Sequence, residues 1–382
     1  MFERRPAYAP AAPAAAEPAR RTVDPWLVVS ALALAGVGLV MVFSSSSAIA
    51  EKRHLDAAYF MKHQAMHLAV GLAVMTFLAT RDHRDLGRWS LPLIVAVFLS
   101  LVLVLIPGLG HRAGGAARWL RLGYFSLQPA ELAKLALVIY LARFLSLRQN
   151  EVKSLTQVFL PALGVALALI LPVLAEPDLG MSVTLMVLAL AMLFVAGART
   201  IYLAGLVLIS LPPLYLLVTL FSYRLKRLLA FLDPWADPND SGFQIIHSFM
   251  ALGSGGLMGA GLGGSVQKLF YLPEPHTDFI LSVLGEELGL MGILGVLALF
   301  MVLIWRGLGA ALACRDAFGS LLALGCTLII GLQAFVNAGV VMGLLPTKGL
   351  TLPFISYGGS SLIVNLACVG ILMSVAASRE RE

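Results

Sequence analysis

Apolar residues in this chain come in long runs and not in strict alternation. Ten runs of roughly 17–25 residues, separated by short polar links, predict helices near 26–47, 64–80, 90–108, 129–146, 158–175, 180–197, 201–221, 278–305, 318–344 and 360–377. The fifth and sixth are divided only by Glu176-Pro177-Asp178-Leu179-Gly180. Runs of this length cross a bilayer as helices, whereas the strands of a barrel would be short and alternating. The expected fold class is an all-α polytopic membrane protein with ten transmembrane helices. An even number returns both termini to one side, and Arg4, Arg5, Arg20 and Arg21 before the first run assign that side to the cytoplasm.

The longest interruption runs from Phe221 to Gly289. It opens on a basic cluster, passes through Pro-Asp and Gly-rich turns, and ends on carboxylates entering the next apolar run. No secondary structure of its own is evident. Phe231, Trp235, Phe243, Ile245, Ile246 and Phe249 nevertheless give it apolar surface to bury, so an ordered working surface is expected. The organisation that follows is a disordered Ala/Pro/Arg-rich tail over residues 1–24, a membrane domain over 25–378 with a large outer loop at 222–277, and a short tail at 379–382.

Composition excludes a soluble domain: 59% of the 382 residues are hydrophobic and 13% charged, against about 25% charged in soluble proteins. Cys314, Cys326 and Cys368 show no paired spacing, so they read as small core residues and not as a disulfide or metal framework. The formal net charge is +6, with only a slight excess of basic residues on the cytoplasmic side. Basic residues on the outer side oppose insertion. Arg112, Arg118 and Arg121, then Arg224, Lys226 and Arg227, then Lys268 therefore suggest an anionic ligand at the outer face, a solvated surface being the alternative.

Charges inside membrane helices are costly and are usually paired or functional. Glu131 and Lys134 lie three apart on one face of the fourth helix, which suits either a structural ion pair or a substrate contact. Asp278, Glu286 and Glu287 open the eighth helix. Asp278 stands where loop meets membrane, beside His276 and near the basic cluster, a position that suits a general base; an N-terminal cap by Thr277 or Asp278 is the plainer alternative. The Gly-rich run Gly253–Gly264 follows no strand and lacks a Gly-Lys-Ser/Thr ending, so it reads as close backbone packing and not as a nucleotide loop. Gln333 and Asn337, four apart, read as interhelical hydrogen bonders. Residues 344–361 (LLPTKGLTLPFISYGGSS) are expected to form an ordered external turn over the helix ends.

Two stretches, KGLTLPFISYGGSS (Lys348–Ser361) and YLPEPHTDFI (Tyr271–Ile280), resemble the signatures of the SEDS family, which comprises the FtsW, RodA and SpoVE proteins. The segments ARWLRLGYFSLQPAELAKL, EPDLG and DPWADPNDSGFQ are also similar to family segments and occur in the same order. GEELG (Gly285–Gly289) and TLPFISYGGSS lean toward the division branch over the elongation branch. Met181 after EPDLG and Leu281 after DFI depart from the usual residues, which bears on local packing only.

The resemblance implies a ten-helix bundle with cytoplasmic termini in the bacterial cytoplasmic (inner) membrane. It also implies a peptidoglycan glycosyltransferase that polymerises lipid II with a class B penicillin-binding protein as transpeptidase. Other divisome membrane proteins and membrane lipids are further expected partners, and no nucleic acid is. By the same resemblance Asp278 is the essential acid, Trp119 a sensitive outer-loop residue, and Glu131 and Lys134 the intramembrane acid–base pair. In the mechanism expected, Asp278 takes the proton of an acceptor sugar hydroxyl, and Arg224, Arg227 and Lys268 stabilise the diphosphate leaving group. Trp119 packs on sugar or lipid, and His276, Gln244 and Ser356 complete the candidate substrate-binding set. No metal-ligand cluster stands out, and assistance by a divalent cation stays open. Three rival readings are a lipid II transporter, kept alive by Glu131–Lys134, an elongation-type polymerase, and a scaffold that only recruits the transpeptidase.

Overall fold

A computed structural model describes residues 24–113, 116–123, 125–269, 272–347 and 349–378. The expected tails, apart from Asp24, lie outside the described residues, as do Arg4, Arg5, Arg20 and Arg21 and the side chain of Arg112.

Asp24 starts α1 (Pro25–His54) by accepting from Trp26 N at 3.0 Å, with Pro25 in the first turn. A tight turn leads to α2 (Tyr59–Thr80), and Asp82 caps α3 (His83–Leu105) through Arg84 N at 3.0 Å. A small antiparallel sheet follows, β1 (Gly110–Ala113), β2 (Ala116–Leu122) and β3 (Phe125–Leu127), with β2 central. It was not legible as strands in the sequence. Next come α4 (Pro129–Leu147), α5 (Leu160–Ala175), α6 (Leu179–Ala196) and α7 (Thr200–Thr219). Asp178 caps α6 through Met181 N at 3.0 Å and Gly197, at φ 99, ends it, so the expected break between the fifth and sixth helices is real. Two shorter helices, α8 (Ser222–Leu232) and α9 (Phe243–Gly255), precede α10 (Ile280–Ala313), α11 (Ala317–Val341) and α12 (Gly359–Ser378).

Among the described residues, nine helices are long and apolar enough to cross a membrane. The tenth, α4, is shortest of charge-free sequence because it carries Glu131, Lys134 and Arg143, yet it is packed among α3, α11 and α6 inside the bundle. The chain is thus a multi-pass helical membrane protein, and α1 to α7 with α10 to α12 are the ten expected helices. Both described ends meet one face of the bundle. Asp24 pairs with Arg306 near the end of α10, and Ser374 Oγ in the last turns of α12 donates to Arg81 O, just beyond α2, at 2.6 Å.

The long interruption is more helical than expected. α8 is amphipathic, buries Arg224 and Ala230, and stops at Asp233-Pro234. Gly242 lets α9 begin against the Pro234 carbonyl, where a Cβ would clash. Gly289, at φ 67, breaks α10 nine residues after its start. The Gly-rich run supplies the missing backbone partners: Ala260 N donates to Glu286 O at 2.9 Å, Gly261 N to Glu287 O at 3.0 Å, and Leu290 N to Gly256 O at 2.9 Å. Close backbone packing was the expected role of this run, and Gly259 and Gly289 have no room for a Cβ between them.

Residues 350–356 correct another expectation. They do not close over the helix ends but descend into the bundle, where the Phe354 carbonyl abuts Gly38 and the Phe354 ring lies 6.5 Å from Phe300. Phe300 stands 13 residues from the end of α10, about 20 Å up a helix rising 1.5 Å per residue. Non-helical backbone at that depth is tolerated because protein surrounds it; Leu350, Leu352, Phe354 and Ile355 are all buried. By contrast α7 buries no residue at all and packs chiefly on α6 and α8.

Candidate active site

A cavity of about 600 Å³ opens where the β-sheet, the α5–α6 turn, α8, α9 and the turn before α10 converge. Its polar lining includes Asp278, Arg224, Arg227, Gln244, Arg118, Asp178 and Glu274. Its height follows from Asn337, which donates to Asp278 O at 2.9 Å. Asn337 is 20 residues along α11, about 30 Å from the opposite face and so close to the full hydrocarbon thickness. The cavity therefore sits at one membrane boundary.

Asp278 precedes α10 and does not cap it: Phe279 holds the cap position, with no side-chain cap. The carboxyl group is half-buried in the cavity wall and makes no hydrogen bond or ion pair among the described residues. Burial, then the Glu274 charge, push it up to about 7; Arg227 pulls the other way, Asp178 adds to the rise and Arg118 offsets it. A carboxyl poised there exchanges a proton readily near neutral pH. Glu274, held in the left-handed region at φ 49 between Pro273 and Pro275, is a further cavity carboxylate that the sequence reading passed over.

The three arginines differ in freedom. Arg224 is buried, donating to Tyr223 Oη at 2.8 Å and Leu217 O at 3.0 Å with its guanidinium 4.5 Å from the Phe221 ring, so it ties α8 to α7. Arg118 is fixed to the α5–α6 turn, donating to Glu176 O at 3.2 Å and Pro177 O at 2.9 Å, with Asp178 Oδ2 at 3.6 Å. Arg227 is exposed and has no hydrogen-bonding or ionic partner among the described residues. Among the described residues it is the cavity's available cation.

Several candidate residues lie elsewhere. Lys268 is buried and bonded to Glu287 Oε1 at 2.7 Å and Ser44 Oγ at 3.1 Å, outside the cavity lining. Glu286 accepts from Ser265 Oγ at 2.5 Å and Val266 N at 2.9 Å, pinning the Gly-rich loop. Glu131 and Lys134 form a buried ion pair at 2.7 Å, and Lys134 Nζ donates to Gln333 Oε1 at 2.9 Å. Gln333 passes the contact on, donating to Thr351 Oγ1 at 3.0 Å and Ser361 Oγ at 3.1 Å. Trp119 is half-buried in β2 opposite His111, beside the cavity residue Arg118. His276 is buried with its ring 4.7 Å from Phe60 and 5.7 Å from Tyr357; burial first, then Arg53, push it down to about 4, which keeps the ring neutral. Ser356 Oγ donates to Thr277 O at 2.6 Å and accepts from Leu352 N at 2.8 Å. His276 and Ser356 thus support the turn that carries Asp278.

The FtsW/RodA/SpoVE cell cycle protein family model matches residues 25–381. The chain belongs to this family. Among its relatives, a probable peptidoglycan glycosyltransferase FtsW of Geobacter metallireducens is 49% identical over 350 residues, spanning 92% of this chain and 93% of the relative. Stage V sporulation protein E of Bacillus subtilis is 45% identical over 353 residues, 92% of this chain and 96% of the relative. A solved chain described under the structural coordination of polymerization and crosslinking by a peptidoglycan synthase complex superposes with a TM-score of 0.77. It is 32% identical, with 94% of this chain and 99% of that one covered. As a member of the FtsW/RodA/SpoVE family, this chain brings its HTD turn, EPDLG turn and basic α8 to one cavity, segments spread over about 100 residues of sequence.

Proposed function

We propose that this chain is a peptidoglycan glycosyltransferase that polymerises lipid II at the outer face of the bacterial cytoplasmic membrane for septal wall synthesis. The observation that carries the reading is a partly buried carboxyl, Asp278, that shares a cavity at a membrane boundary with Arg227, neither having a side-chain partner among the described residues. Lipid II joins a polyprenyl tail to a sugar through a diphosphate, so its reacting bond lies at that height. Asp278 accepts the proton of the acceptor sugar's 4-hydroxyl while that oxygen attacks the donor's anomeric carbon. The bond to the lipid diphosphate breaks in the same displacement, with inversion, and the diphosphate departs with the bonding electron pair. Arg227 meets the charge that develops on it, with Arg224 and Arg118 as fixed cations in the wall.

The likeness to an FtsW of Geobacter metallireducens supports the division role, and the likeness to a synthase-complex chain supports a class B penicillin-binding protein as partner. The transporter reading drew on Glu131–Lys134, and that pair is enclosed in the α4–α11 network away from the cavity. The test is glycan polymerisation from lipid II by purified protein with its transpeptidase. Asp278→Asn is expected to lose activity by about 10²-fold or more with its melting temperature preserved. Normal polymerisation by that variant refutes the assignment.

A further inference from the structure

The backbone of the HTD turn is held at three successive carbonyls, two by the loop before α12 and one by α11. Tyr357 N donates to His276 O at 2.8 Å, Ser356 Oγ to Thr277 O at 2.6 Å, and Asn337 Nδ2 to Asp278 O at 2.9 Å. Asn337 differs from the other two because its amide nitrogen also donates to Leu350 O at 2.7 Å. It therefore joins the turn that carries Asp278 to the strand of chain passing in front of the carboxylate. Gly349, the residue before Leu350, lies so close that a Cβ there would stand 2.9 Å from Asp278 Oδ2. Asn337 itself is buried in the last turns of α11, one helical turn beyond Gln333, which bonds Lys134 and braces Thr351, the residue after Leu350.

We propose that Asn337 is a positioning residue for glycosyl transfer: by holding the Asp278 and Leu350 carbonyls together it fixes where the Asp278 carboxylate stands in the cavity. The proposal rests on the reading of Asp278 as the base. Asn337 touches neither cavity nor substrate, as it is absent from the lining. Its effect passes through the backbone of Asp278. A carboxylate free to shift by an ångström loses alignment with the attacking hydroxyl, a displacement that costs about 10²-fold in rate. The Glu131–Lys134 pair then acquires a role at a distance, since Gln333, Thr351 and Leu350 link it to the same loop.

The experiment uses full-length protein with its transpeptidase, comparing wild type, Asn337→Ala, Asn337→Asp and Asp278→Asn. The readouts are lipid II binding, kcat and the pH dependence of kcat. The Asn337 variants are expected to bind lipid II within about 2-fold of wild type while kcat falls about 10²-fold. The acid limb of kcat should also move to lower pH, because a released carboxylate gains hydration; the groups facing it are Glu274, Arg227, Asp178 and Arg118. Wild-type kcat in Asn337→Ala overturns the proposal. So does a loss of binding in step with kcat and an unmoved pH limb, which marks a general packing defect. If the Asn337 variants fail to fold, Ser356→Ala, which removes the neighbouring support at Thr277, must give the same split or the proposal fails. Full activity in Asp278→Asn instead overturns the reading of Asp278, whichever way the Asn337 variants behave.

Discussion

Gly349 leaves space that the Asp278 carboxylate fills: a Cβ at position 349 would lie 2.9 Å from Oδ2. Only the carboxylate has to give way. Gly349→Ala is therefore expected to melt like wild type yet polymerise about 10-fold to 10²-fold more slowly. A rate loss accompanied by an equal loss of stability would point to misfolding of the loop.

Arg227 and Lys268 should separate cleanly. Removing Lys268 strands Glu287 in a buried site without its cation, so Lys268→Ala is expected to destabilise by about 3–5 kcal/mol. Arg227 is exposed and unpaired among the described residues, so Arg227→Ala should leave the melting temperature unchanged and weaken diphosphate-lipid binding. Thermal melts and lipid II binding on the two variants check both statements.

The pH dependence of turnover follows from the Asp278 carboxyl, pushed up to about 7 by burial and by Glu274. The base must be ionised to accept a proton, so kcat should fall as pH drops through about 7. Glu274→Gln removes a like charge and should shift that limb to lower pH. A pH–rate profile of the two proteins decides it; a limb that stays put removes Glu274 from the electrostatics of the site.

Glu176 offers a stability test of the opposite sign from most carboxylates. It is buried beside the cavity wall with neither carboxyl oxygen hydrogen-bonded in the described structure, and burial, then Asp178, against Arg118, push it up to about 8 from 4.5. The folded state therefore binds more protons than the unfolded state between those values, and stability falls as pH rises through the window. Glu176→Gln, which cannot ionise, should match wild type near pH 4 and melt higher near pH 8. Parallel melting curves for both proteins would refute the assignment.

The bundle was legible because apolar run length signals a membrane helix, and every predicted run became a helix, the charged α4 included. Glu131–Lys134 was legible as a pair because three residues apart is one helix face. What pairs across the fold was not. Lys268 carries a charge typical of an anion site, and only the chain's return to α10 shows Glu287 waiting for it. Arg118 looked like one of several outer cations, and its fixed place in the cavity depends on carbonyls 58 and 59 residues away. The descent of residues 350–356 was hidden because Pro, Gly and Ser also mark surface turns; the apolar side chains Leu350, Leu352, Phe354 and Ile355, all buried, were the available sign.

The cavity's walls are not equally anchored. Asp278 hangs from the packed centre of the protein through Asn337 and Ser356, whereas Arg224 fastens α8 to α7, a helix that buries no residue. α7 leans on the bundle through α6 and through Tyr202, whose ring lies 5.6 Å from that of Phe159. Any shift of α7 against α6 therefore changes the spacing between Asp278 and Arg224.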